Sequence, residues 1–131
     1  MSVQELLAVA AGGVIGAVAR YLVYVAVGHL LGTGFPYATL IVNVVGSFAM
    51  GALIETMALV WSTSTAMRLF LATGILGSFT TFSTFSLDFA LLFERRAWVA
   101  CAIYTIASVV LSIAALFAGL YLMRRVLAPS V

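Results

Sequence analysis

The chain has 131 residues, of which 65% are apolar and only 8% charged, with a formal net charge of +2. At a mean hydropathy of +1.25 it has nowhere to find the polar surface of a soluble domain. A membrane span needs roughly 20 apolar residues, so the length accommodates about four spans in one domain, 1–131, with no room for a soluble module or linker.

The first span is expected at residues 6–31. No Lys or Arg precedes it, which argues against a cleaved signal peptide. Gly12 and Gly16 form a GxxxG pair that lets another backbone approach closely, and Arg20 follows one turn later on the same face. An arginine at mid-helix costs roughly 2.5–3.5 kcal/mol on insertion scales, so Arg20 either snorkels to the interface or draws anions inward. His29, at the end of this span, carries no assigned role. The segment 32–36 reads as a tight turn closed by Pro36, which opens the next helix.

The second span is expected at 37–61. Its polar residues Thr39, Asn43 and Ser47 recur every four positions and share one face. The Asn43 amide either bonds across to another helix or faces water. Glu55 lies late in the span, within reach of the interface. Hydroxyls in 61–65 offer N-caps for a third span that begins near Ala66.

Between Ser78 and Ser86, six hydroxyl residues and three phenylalanines fill nine positions. Hydroxyls that bond back to helix carbonyls, together with Gly74 and Gly77 just before them, predict that the third span breaks within 74–86. Broken backbone at membrane depth persists only where protein buries it or where it lines a watery path. The alternative is a small-residue packing seam. Past the break, 86–88 is expected to restart the helix, with Asp88 capping it or pairing with an arginine, and the helix should end at 94–96. The fourth span is expected at 97–123, closed by Arg124 and Arg125. Along it Tyr104, Ser108 and Ser112 form a polar stripe, either a packing seam or a wet track. The single cysteine, Cys101, lies in an apolar run and rules out an intrachain disulfide framework.

With four spans, Arg68, Arg124 and Arg125 fall on one side of the membrane and Arg95 and Arg96 on the other. Three against two gives the positive-inside rule almost nothing to act on, and such a chain can insert both ways. Two oppositely inserted copies would form an antiparallel homodimer, the inverted-repeat layout of many transporters. The alternative is that the small bias still selects one orientation.

The run Gly12-Gly13-Val14-Ile15-Gly16-Ala17-Val18-Ala19-Arg20-Tyr21, with Asn43 and the run from Gly74 to Ser86, resembles the Fluc (CrcB) family of fluoride channels. The elements GGxxGAxxRY and GxxTTFSTF are long and in order. The resemblance implies an all-α membrane protein of four transmembrane helices with a broken third, assembled as a dual-topology antiparallel homodimer. It implies two fluoride pores that let accumulated fluoride leak passively across the bacterial inner membrane. Phe82 and Phe85 would offer ring edges to fluoride, Asn43 would donate from its amide, and Tyr104, Ser108 and Ser112 would line part of the path; from their own depth and spacing, Thr39 and Arg20 are expected along it as well. Main-chain carbonyls of Gly77 and Thr80 from both subunits would hold one structural sodium ion.

Fluoride is small and strongly hydrated, so a pore must replace its water with hydrogen-bond donors, and neutral Asn, Ser, Thr and Tyr do so without trapping it. A phenyl ring has a positive edge that attracts an anion weakly. The competing class is a small dual-topology multidrug or cation exporter, which needs a membrane-embedded carboxylate, and only Glu55 and Asp88 qualify. A haem-bearing anchor would want more than His29. No nucleophile, base or metal cluster points to an enzyme.

Overall fold

A computed structural model of the chain describes residues 1–128. Helix α1, Val3–Leu31, opens on a capping box: the Ser2 hydroxyl accepts from the Glu5 amide at 3.2 Å and the Glu5 carboxylate accepts from the Ser2 amide at 2.9 Å. That box starts the helix three residues ahead of the expected 6. Gly32, at φ 73°, ends it in a conformation that suits a residue without a Cβ. Helix α2, Tyr37–Leu59, follows Pro36 as expected.

The third span is composite. Ser64 caps α3, Thr65–Arg68, by accepting from the Met67 amide at 3.2 Å. The chain then passes into a π-helical stretch, Leu69–Leu76, and into the single turn α4, Gly77–Phe79. At Thr80 (φ −82°, ψ 159°) and Thr81 (φ −156°, ψ 122°) the backbone is extended, so the helix is interrupted inside the expected window. Helix α5, Phe82–Glu94, begins directly afterwards, because the Thr81 hydroxyl accepts from the Thr84 amide at 3.2 Å and serves as its N-cap. This corrects the restart expected at 86–88. Asp88 lies within the second turn of α5, where it neither caps the helix nor pairs with an arginine. Arg96, at φ 56°, turns the chain into α6, Trp98–Leu127, which runs a turn beyond the expected end at 123.

Val3–Leu31, Tyr37–Leu59, Thr65–Glu94 and Trp98–Leu127 are each long and apolar enough to cross a membrane. The protein is therefore a multi-pass, all-helical membrane protein, and the large apolar side chains exposed along these helices, among them Val14, Leu22, Val110 and Phe117, suit contact with lipid.

Glycines set the helix spacing. A Cβ on Gly12 would collide with the Phe70 carbonyl, and one on Gly16 with the Ile75 carbonyl, so the GxxxG face of α1 seats the π-helical stretch backbone to backbone. Helix α2 packs along α6, where a Cβ on Gly51 would strike the Leu116 carbonyl and one on Gly119 the Phe48 carbonyl. At one end of this pair the Arg124 guanidinium donates to both Glu55 carboxylate oxygens at 2.8 and 3.2 Å. Glu55 is thus buried against α6.

Candidate functional site

The interruption at Thr80 and Thr81 is locked by one side chain from α2. The Asn43 Oδ1 accepts from the Thr81 amide at 2.7 Å, and Asn43 Nδ2 donates to the Thr81 carbonyl at 2.9 Å. An extended residue between two helix ends has no helical partner for either backbone group, and a primary amide matches both. Gly46, one turn along α2, leaves space that a Cβ would take from the Thr80 methyl and the Phe79 ring.

The same bonds bear on the backbone acceptors beside the break. In an unbroken helix the Gly77 carbonyl would accept from the Thr81 amide and the Thr80 carbonyl from the Thr84 amide. The first amide is held by Asn43 and the second by the Thr81 hydroxyl. The break leaves the carbonyls of residues 77–80 without their helical donors, since the amides of 81–84 belong to the cap and first turn of α5, and Gly77 and Thr80 are among these hard neutral oxygens, a donor type that suits a small hard cation.

On the other side of the break lies a cleft of about 420 Å³ lined by, among others, Asn43, Ser47, Phe82, Phe85, Ser108 and Ser112. Phe82 is 78% exposed, and its ring centroid lies 5.4 Å from that of Phe85 at a 42° tilt. The Ser108 Oγ is buried and, among the described residues, makes no hydrogen bond. A buried hydroxyl without a partner costs about 1–3 kcal/mol, which makes it an unfilled donor beside the cleft. Asn43 has a second Nδ2 hydrogen beyond the one given to Thr81. The break also brings the amide-rich first turn of α5, the positive end of its dipole, to the edge of this cleft.

A second cavity, of about 180 Å³, opens beside the 32–36 turn and is lined by residues that include Tyr24, Thr39, Asp88 and Arg95. Here Thr39 Oγ1 donates to Asp88 Oδ2 at 2.6 Å, and the Tyr104 hydroxyl donates to the same oxygen at 2.9 Å. With its hydrogen committed to Asp88, Thr39 accepts from the Tyr24 hydroxyl at 2.6 Å. Tyr104 is wholly buried and lines neither space; it lies behind them, with its hydroxyl on Asp88 and its ring 5.2 Å from that of Phe85.

Of the residues singled out from sequence, Asn43, Phe82, Phe85, Ser108 and Ser112 gather around one cleft, while Thr39 leaves its α2 neighbours for the second cavity. Arg20 is half-buried on α1 and lines neither space. Tyr24 and the role of Asp88 as a hydroxyl acceptor went unread. Tyr24 lies one turn beyond Arg20, but a hydroxyl pair between two helices leaves no mark in a single sequence.

Fold and site together define a four-span membrane protein whose third helix opens beside a cleft of neutral donors and phenyl rings. The family described as CrcB-like protein, Camphor Resistance (CrcB), matches residues 7–120. The chain is 58% identical over 125 residues to a protein of Rhodospirillum centenum named Fluoride-specific ion channel FluC, covering 95% of this chain and 99% of that one. Proteins of the same name from Chelativorans sp. and Agrobacterium fabrum are 56% identical over 123 residues (94% and 98% covered) and 57% over 117 (89% and 94%). The chain belongs to the CrcB family.

Proposed function

We propose that this chain is a fluoride-selective channel, and no enzyme, which lets fluoride leave the cell passively across the bacterial inner membrane. The observation that carries the reading is the cleft at the helix break, where the unpartnered Ser108 hydroxyl, the Asn43 amide and the Phe82 and Phe85 rings stand together. Its relatives are named for the same activity. A fluoride ion entering the cleft exchanges water for neutral donors, first Ser108 and Ser112, then the spare Asn43 hydrogen and the positive ring edges. No lining residue of this cleft bears a charge that would hold the ion. The deciding experiment uses purified protein in liposomes, with a potassium ionophore balancing charge. Fluoride release without chloride release is expected, and equal release of both, or of neither, would refute the reading.

The working assembly in this proposal is an antiparallel homodimer with two pores. Its support is the arginine count, three against two, at the ends of four spans. Moving one or two arginines should abolish function, and co-expression of two oppositely biased variants should restore it. Activity from one strongly biased variant alone would count against it. At the dimer centre the carbonyls of Gly77 and Thr80 would hold a structural sodium ion, which neutralises their converging dipoles when bound. Replacing sodium by a large organic cation should then reduce flux or loosen the dimer, and unchanged behaviour would remove the site. The exporter alternative needs a titrating carboxylate, and Glu55 is held by Arg124.

A further inference from the structure

We propose that Arg95 guards one mouth of the ion path, where its charge offsets Asp88 and concentrates anions ahead of the Thr39 and Tyr104 hydroxyls; this rests on the fluoride-channel reading. Of all the residues lining the 180 Å³ cavity, Asp88 and Arg95 alone carry a charge. They stand seven positions apart on α5 and its C-cap, two helical turns, so both belong to one face. Asp88 holds the inner end, where its Oδ2 accepts from Thr39 at 2.6 Å and from Tyr104 at 2.9 Å.

A carboxylate on an anion's route repels that anion and holds the very hydroxyls that would solvate it. Such a route works only if a cation nearby cancels the repulsion. Arg95 is exposed at the outer end of the cavity, and the ion pair found among the described residues is that of Arg124 with Glu55, so the Arg95 charge faces the cavity and its solvent. Arg96, next in the chain, is also exposed but does not line the cavity. It is a matched control, because its loss alters the charge of the same turn, and so any bias of membrane insertion, by the same amount.

The test compares initial fluoride release from liposomes by the wild type, Arg95→Gln, Arg95→Lys and Arg96→Gln, at about 0.01 M and about 1 M background salt, where the Debye length falls from about 30 Å to about 3 Å. Arg95→Gln should slow release about fivefold at low salt and less than twofold at high salt, the signature of lost electrostatic concentration. Arg95→Lys should match the wild type, and Arg96→Gln, which shifts only the insertion bias, should change release by the same factor at both salts. In the Asp88→Asn background, Arg95→Gln should slow low-salt release by a smaller factor than in the wild type, since the charge to be offset is gone and only the concentration of anions is lost. A conducting wild type with Arg95→Gln and Arg96→Gln alike at low salt overturns this proposal alone. A wild type that releases no fluoride overturns the channel reading and this proposal with it.

Discussion

Replacing Asn43 by alanine tests whether the locked break is needed for conduction. The change deletes two hydrogen bonds at once, 2.7 Å from the Thr81 amide and 2.9 Å to the Thr81 carbonyl. At about 1 kcal/mol net for each, the locked form loses about 2 kcal/mol. At tenfold per 1.4 kcal/mol this is roughly a 30-fold shift away from the extended Thr80–Thr81 pair. Thr81 would then be drawn back towards the Gly77 carbonyl, which would close the turn that frees the acceptors and re-aim Phe82 and Phe85. The expected outcome in the liposome assay is a loss of fluoride release of about tenfold or more, with normal elution of the folded protein in detergent. Release within twofold of wild type from a folded Asn43→Ala protein would show that the Asn43 bonds are incidental and would refute the reasoning.

Three further outcomes follow from individual contacts. Ser108→Ala removes a buried hydroxyl that has no partner among the described residues, so Tm should stay level or rise while fluoride release falls about tenfold, the loss of one donor to a desolvated anion; retained release would exclude Ser108 from the path. Gly16→Ala puts a Cβ into the Ile75 carbonyl and should sharply lower the yield of folded protein, whereas Gly28→Ala, with open space around it, should be tolerated, and equal yields would contradict the packing of α1 on the π-helical stretch. Arg124→Gln should lower Tm more than Glu55→Gln, because it strands a carboxylate that is 10% exposed, while the second change frees a guanidinium that is 62% exposed and can turn to water; the reverse order, read by thermal scan in detergent, would be evidence against a structural ion pair.

The four spans and the glycine seam of α1 were legible in the sequence because hydropathy and small-residue spacing are local properties of the chain. The interruption of the third span was also local, carried by the density of hydroxyls around Thr80 and Thr81. Its boundary was misplaced because the N-cap depends on which of six neighbouring hydroxyls reaches a given amide, and Thr81 does so before Ser86 can. The π-helical stretch Leu69–Leu76 had no such signal, since its wider turn fits the bare face of Gly12 and Gly16 on another helix. For the same reason the spacing of Thr39, Asn43 and Ser47 suggested one track. The partners that divide it, Thr81 for Asn43 and Asp88 for Thr39, lie 38 and 49 positions away in the chain.

The α2 and α6 pairing also has a meaning in time. Synthesis runs from the amino terminus, so α2 and the broken span are in the membrane before α6 leaves the ribosome. Asn43 can lock Thr81 at that stage, but the wall of the cleft that bears Ser108 and Ser112 does not yet exist. Until it arrives, the donors of the cleft are open sideways to acyl chains, and Gly51 waits on α2 for the backbone around Leu116. Of the four described spans α6 is thus the last to be made, and it supplies the wall that turns a groove facing lipid into the cleft.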